Sequence, residues 1–325
     1  MAPAPGHRLA NRDRIAAWPA LPYEDWRETR DTLHAHTQAL GKLAVVLAPP
    51  EPQLRHAALR LTARGWETAP LPAPDGSGAI VAALDLRAHE AVVEHNARPA
   101  SRIALTPHRP VGEVASEMLD AVRDVAGDVR IDPTPQEVPW SVPLDQDHEH
   151  ATYDPEAVAR YHAAATRAAL VLNAFRASYR GRATPVDAWW GSFDLAVHLF
   201  SGAAADPPSQ GFITRNSLDA EQVAVGWWPG DAHYPRAAFY GYAYPAPPQL
   251  VEANVAPGRW DAALGEFLLD WDTVVEASDP FRTAVTFAHS LASQSCTVGA
   301  WDPMLLRSLE GDPPPVAAGG LRPNP

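Results

Sequence analysis

TLHAHTQALGKLAVVLA (Thr32–Ala48) and RYHAAATRAALVLNAFR (Arg160–Arg176) overlay without a gap, placing His34 on His162. In the first stretch Leu33, His36, Leu40, Leu43 and Leu47 recur at alternating spacings of three and four. That is the stripe of a helix with one buried face, predicted from about Asp25 to Leu47 and stopped by the prolines that follow. A shift of three residues then brings His56 of RHAALRLTARG onto Asp187 of VDAWWGSFDLA. Outward from each helix the same order recurs. HAALRLTARG, AIVAALDL, AVVEHN and RIALTP read as an antiparallel meander, closed by the helix VGEVASEMLDAVRDVAG and a last short strand, VRIDP. In the second half a helix over Pro155–Arg180 precedes PVDAWWGSFDLAVHLFSG, QVAVGWWPGD, AAFYGYAYP and GEFLLDW, and a helix over Pro280–Gly299 closes it. The fold class expected is α+β: two related helix/antiparallel-sheet/helix units, 17–138 and 155–305, with an internal duplication. A Pro-rich, acidic linker, 139–154, joins them. Segments 1–16 and 306–325, rich in Pro, Gly and Ala without apolar period, are expected to be disordered.

Composition narrows the function. The 325 residues are 46% hydrophobic and carry a formal charge of −13 with no basic run, which argues against a nucleic-acid partner. The longest apolar runs are too short to span a bilayer, and the N-terminus has no apolar signal core. A cytoplasmic protein without membrane contact is expected, and a homo-oligomer is left open. The single cysteine, Cys296, excludes an internal disulfide and reads as helix packing rather than as a nucleophile. Gly-rich phosphate loops, a dinucleotide fingerprint, a nucleophile elbow and paired metal cysteines are all missing.

Three groups of residues could carry chemistry. In LDQDHEHATYDP (Leu144–Pro155) His148 and His150 point the same way if extended, which suits two imidazoles on one metal. The same run also reads as a solvated linker ending in Asp154, an N-cap before Pro155. On the first helix His34, Gln38 and Lys42 recur every four residues, either as an exposed face or as the wall of a polar cavity. His36, inside the apolar stripe, reads as a core histidine. Finally, Trp189, Trp190, Trp227 and Trp228 lie on neighbouring predicted strands, with Phe239, Tyr240, Tyr242 and Tyr244 on the next. Alternation sends one member of each Trp pair to the second sheet face, which the other unit, another subunit or a flat ligand must cover.

At these residues TLHAHTQALGK, LTARG, EVPW, HATYDP, WWGSFDLAVHLFSG, VGWWPGD, AAFYGYAYP and LGEFLLDW together resemble a widespread bacterial family, domain of unknown function 5996. The resemblance spans about residues 18–305. It implies a stand-alone cytoplasmic protein and brings no established activity. The family-like polar letters fall on His34, Thr37, Gln38, Lys42, His56, His150, Tyr153, Asp154 and Asp194. Where this chain has Asp187 and Ala188 the family pattern has a histidine and an aromatic residue, and His148 has no counterpart in it.

The leading expectation is a small-molecule enzyme with a His/carboxylate pocket where the two units meet. His34, His56, His150, Asp187 and Asp194 would do acid/base work. Gln38, Lys42, Tyr153, Trp190 and Trp228 would hold a flat or apolar substrate or cofactor. A divalent transition metal (Zn, Fe or Mn) on His34, His56, His150 and Asp187 is one version of this site. The alternative is a non-catalytic small-molecule-binding or stress-related protein with an aromatic pocket.

Overall fold

The computed structural model describes residues 18–307 and 309. The first helix, α1 (Arg27–Leu47), follows a short 3-10 turn, Tyr23–Asp25. A 3-10 turn over Pro52–Ala57 leads into β1 (Arg60–Leu61), β2 (Gly65–Glu67), β3 (Leu71–Pro72), β4 (Ala79–Asp85), β5 (Glu90–His95) and β6 (Arg98–Ala104). These form an antiparallel sheet ordered β1-β2-β4-β5-β6, with β3 also on β4. It is closed by α2 (Val111–Ala126), whose apolar face holds Val111, Val114, Met118 and Val122 and which ends at Gly127 with φ 93°. VRIDP is not a strand: Val129 and Ile131 pack against the core from irregular chain. The linker is irregular apart from a 3-10 turn at Leu144–Gln146.

The second half opens with α3 (Pro155–Ala177), capped as its sequence indicates: Asp154 Oδ1 accepts from Glu156 N at 2.9 Å. Replacing Asp154 by Ala is expected to cost about 1 kcal/mol in urea unfolding. A loss several times larger would show that Asp154 does more than cap. A hairpin, β7 (Asp187–Trp189) and β8 (Asp194–Ala204), then leads through the short α4 (Phe212–Ser217) to β9 (Ala220–Trp228) and β10 (Ala238–Tyr244). After β11 (Arg259–Asp261) and β12 (Glu266–Asp270) come α5 (Trp271–Glu276), α6 (Pro280–Val298) and α7 (Pro303–Arg307). The second sheet is ordered β11-β12-β10-β9-β8-β7. Leu309 is buried, so the core extends past the boundary expected at 306; residues 1–17, 308 and 310–325 of the expected tails lie outside the described residues. Among the described residues no helix is long and apolar enough to cross a membrane.

The sheets meet at their first strands, where Leu59 and Ala188 exchange two backbone hydrogen bonds of 2.9 Å. One hydrophobic core runs through both halves: Trp26 stacks on Tyr161 at 5.2 Å, and Trp66 Nε1 donates to the Tyr161 hydroxyl at 3.1 Å. The overlaid histidines cross this joint in opposite directions. His34 Nε2 lies 2.9 Å and 3.0 Å from the carbonyls of Trp190 and Gly191, in the turn after β7. His162 Nε2 lies 3.1 Å from the carbonyl of Thr62, in the turn after β1. A duplicated unit packed about a pseudo-twofold axis would leave this reciprocity, and we propose the duplication on that ground.

Candidate functional site

α1 is buried on nearly every side from Thr29 to Ala44. His34, Gln38 and Lys42 therefore do not form a solvated face; they clamp the turn that follows β7. Gln38 Nε2 lies 3.5 Å from His34 Nε2, but the two nearer partners are carbonyl oxygens, so this nitrogen carries the proton. Burial, then the Arg30 charge, holds the imidazole well below its usual pKa and keeps it neutral. Gln38 Nε2 donates to the carbonyls of Gln136 (3.0 Å) and Trp190 (3.2 Å), and its Oε1 accepts from Gln136 N at 3.0 Å. Lys42 Nζ stands 5.6 Å from the centre of the Trp190 ring, and burial lowers its pKa. Trp190 itself leaves the sheet, enters the joint and donates Nε1–H to Ala57 O at 3.0 Å. His34 Nε2 and Gln38 Nε2 thus both bind backbone of the other half, and Lys42 meets it through the Trp190 ring.

The outward face of the second sheet is where polar groups gather. Strand register aligns Ala196 with Gly226, Gly226 with Tyr240, and Tyr240 with Leu268; His198, Ala224 and Tyr242 form the next row. Small residues at 196, 224 and 226 leave a depression on this face. A Cβ at Gly226 would come within 2.3 Å of the Tyr240 ring, so glycine lets Tyr240 lie flat across β9 and reach β8. There its hydroxyl donates to Asp194 Oδ2, while the Ser192 hydroxyl donates to Oδ1. The roof comes from the other half: Gln53, Leu54 and Arg55, with Glu137 of the linker and Ile213 and Ser217 of α4. Gln53 Nε2 ties the roof down by donating to Asp219 Oδ1 at 2.6 Å.

The space beneath is a cavity of about 160 Å³ that adjoins a second of about 310 Å³ across Ser192, Asp194, Tyr240 and Tyr242. Trp228, Tyr234 and Glu266 wall the second. Trp228 meets Tyr240 edge-on at 5.4 Å and Tyr234 at 5.5 Å. Its neighbour Trp227 is fully buried in the core, as alternation requires. A third cavity, of about 510 Å³, shares Ser192, Glu137 and Asp231 with these two and reaches Tyr23, Arg30 and His34.

Three carboxyls in this cleft are pushed toward neutrality. Burial raises Asp194 to about 6, with the Ser192 and Tyr240 hydrogen bonds opposing. Burial and the Asp194 charge raise Glu266 to about 7, and the same two causes raise Glu137. His198, on the same face, is lowered to about 4 by burial and by Arg55. The backbone around the roof is strained as well. Gln53, Leu54, Glu137 and Phe193 all have φ between 55° and 59°, a region costly for residues with a Cβ. Three of them line the first cavity, and Phe193 sits between Ser192 and Asp194. Such strain persists only where surrounding packing over-determines it, and it gathers at working sites.

The other expected site residues do not converge. His56 Nδ1 accepts from Glu51 N at 3.1 Å, and its ring lines a small cavity of about 60 Å³ beside Trp190. That cavity shares Leu54, Glu137, Trp189 and Ile213 with the first but is lined by neither Asp194 nor Glu266. His150 Nδ1 is 2.7 Å from Asp147 Oδ2; burial opposes its charge, but the bond and charge of Asp147 outweigh it and raise its pKa. Its ring packs on Trp140 at 4.7 Å, and Trp140 in turn meets His34 edge-on at 5.4 Å. Asp187 is fully buried between Arg60 (2.7 Å) and Arg55 (3.6 Å). Tyr153 is buried, its hydroxyl 3.0 Å from His89 Nδ1. The metal set His34, His56, His150 and Asp187 is thus corrected: each member has a local partner. Among the described residues no group of three or more His, Cys, Asp or Glu could hold a metal ion. Of the expected residues, Asp194 and Trp228 lie in the cleft and His34 lies at its far end. Reading the sequence missed Ser192, Glu137 and Glu266 altogether and saw Tyr240 only as an aromatic. Of the readings open for the acidic run, the solvated linker fails at Asp147, which is fully buried, accepts from the backbone N–H of Glu149 and His150 at 3.0 Å and meets the His150 ring.

A family model described as a family of unknown function (DUF5996) matches residues 18–308. No curated protein and no solved structure shows significant similarity to the chain.

Proposed function

The chain belongs to this family of unknown function, and from that premise we propose that it is a small-molecule acid–base enzyme working on the outward face of its second sheet. One observation carries the reading: Asp194, 4% exposed, is held by two hydroxyls at the floor of a cavity with its pKa raised to about 6. Carboxyls tuned into this range can exchange protons with a substrate at physiological pH. Glu266, about 7, lines the same 310 Å³ cavity and titrates later than Asp194. Between those two values Asp194 is the ionised base and Glu266 the protonated acid. Ser192 and Tyr240 orient the Asp194 carboxylate, and Trp228 offers a flat apolar wall. The histidine-centred and metal-dependent versions of the site are not carried forward, because His34, His56 and His150 lie on different partners and do not converge. The aromatic walls would equally serve a non-catalytic binding protein, the second reading.

The test has two parts. Carboxyl carbon resonances of Asp194 and Glu266 should titrate near 6 and 7, and ordinary values near 4 would remove the basis of the proposal. Wild type, Asp194→Asn and Glu266→Gln are then each incubated with a bacterial metabolite extract. The enzyme reading expects compounds consumed by wild type alone, with a rate that peaks between the two titrations. Compounds retained but unchanged by wild type would favour the binding reading.

A further inference from the structure

Among the described residues that line the cleft, carboxyls outnumber cations. Asp194, Glu266, Glu137, Asp231 and Asp31 line its three joined cavities. Two arginines also line it: Arg30 Nη1 lies 2.7 Å from Asp31 Oδ1 and Arg55 Nε lies 3.6 Å from Asp187 Oδ2, and the Nε of each has no hydrogen-bond partner. His233, 82% exposed, lines the edge of the third cavity, its Nδ1 3.9 Å from Asp231 Oδ1. The carboxyls do not gather around a point, as a metal ion would need. They are strung along the cleft, between the aromatic faces of Trp228, Tyr240 and Tyr242 at one end and Tyr23 and Trp140 at the other.

A second observation is independent of charge. His34 is 2% exposed and forms part of the wall of the 510 Å³ cavity. With its proton fixed on Nε2 by two backbone carbonyls, Nδ1 is a bare acceptor, and it has no hydrogen-bond partner. A buried acceptor left unmatched costs stability, and its persistence in a cavity wall marks a place where a donor from outside the chain belongs. Nδ1 is sealed from solvent in this state. Glu137 to Trp140, which line the same cavity, are irregular chain.

We propose that the cleft takes an elongated organic ammonium compound. One cationic end lies between the Asp194 carboxylate and the aromatic faces of Trp228 and Tyr240, with Glu266 accepting a hydrogen bond beside it, and an N–H donor at the other end reaches His34 Nδ1. Carboxylates and ring faces both favour an ammonium group, and the rings add specificity for an organic cation over a hydrated metal. Elongation follows from the separation of the two anchors into adjoining cavities. The proposal rests on the acid–base reading for its first anchor and on His34 for its second.

The experiment compares four probes by calorimetry and thermal shift on the full chain near neutral pH: cadaverine, phenethylamine, pentanediol and glutarate. The amines should bind and stabilise, cadaverine more strongly than phenethylamine because it fills both anchors, and added salt should weaken them. Pentanediol and glutarate should not bind. The His34 Nδ1 nitrogen resonance should move on cadaverine addition and stay still with phenethylamine. Asp231→Asn keeps the oxygen that caps the turn to His233 and Tyr234; with Glu137→Gln, it should weaken cadaverine several-fold. Equal binding of the diol, preference for the dicarboxylate, or a still His34 signal would overturn the proposal even if Asp194 and Glu266 titrate near neutrality. Amine binding with ordinary Asp194 and Glu266 titrations would instead sink the acid–base reading and leave the ligand class standing.

Discussion

Replacing Asp194 with Asn is expected to make the protein more stable near neutral pH, by about 2–3 kcal/mol, while removing its function. The sign follows from the direction of the pKa shift. An aspartate in the unfolded chain ionises around 3.8, whereas burial raises Asp194 in the folded protein to about 6. Between those values the folded state holds a proton that the unfolded state has lost, so raising the pH favours unfolding. The penalty is absent below about pH 3.8, grows through the window and is complete above about pH 6. Asparagine has the same shape and no charge to desolvate. Its carboxamide oxygen can still accept from Tyr240, and its NH₂ can donate to the Ser192 oxygen. The variant should therefore gain most at pH 7 and above and converge on wild type near pH 4. It should also lower the titration of Glu266, because the Asp194 charge is one cause of that rise. Urea unfolding at several pH values reads the first effect and carboxyl resonances the second. A variant less stable than wild type at neutral pH would mean that Asp194 is a structural anchor. A function-bearing carboxylate held against the interests of folding is the signature of a working site.

Much of the fold is legible in the sequence because it is written locally. The stripe through Leu33, Leu40 and Leu43 announces α1, Asp154-Pro155 announces the start of α3, and alternation within Trp227-Trp228 separates a core ring from a cleft ring. The site is less legible because its members meet through strand register. Tyr240 reaches Asp194 from 46 residues away, across a glycine whose role appears only once β9 lies between them. Glu266 arrives on β12, which pairs with β10 in the sheet although β11 lies between them in the chain. His34 illustrates the opposite error. Its period of four with Gln38 and Lys42 suggested a shared face, correctly, but periodicity cannot say whether a polar face meets water or the backbone of another unit. Asp147 shows the same limit at short range. An acidic run reads as solvated, yet one member can turn inward when the two N–H groups just after it serve one of its oxygens and the His150 ring serves the other.

The joint between the halves makes the last prediction, and it reverses an ordinary rule. Gly41 lies in the middle of a 21-residue helix, where Gly→Ala normally adds about 1 kcal/mol by restricting the unfolded chain. Here Gly41→Ala is expected to cost about 3 kcal/mol instead. A Cβ at 41 would lie 2.1 Å from two atoms of the Trp190 ring and 2.2 Å from a third. The ring cannot rotate away cheaply, since it is 6% exposed and its Nε1–H is bound to Ala57 O. Moving it would also drag the carbonyls of Trp190 and Gly191 from His34 and Gln38, loosening the clamp from both directions. Chemical denaturation of the single variant tests the sign, and a double-mutant cycle tests the cause. Trp190→Leu should destabilise on its own by removing the ring, but in that background Gly41→Ala should become neutral or favourable. The coupling between positions 41 and 190 should then be about 3 kcal/mol, at the upper end for residues in contact. If Gly41→Ala stabilises the wild-type chain, Trp190 does not lie across α1, and the clamp that sets the turn before Ser192 and Asp194 is wrongly drawn.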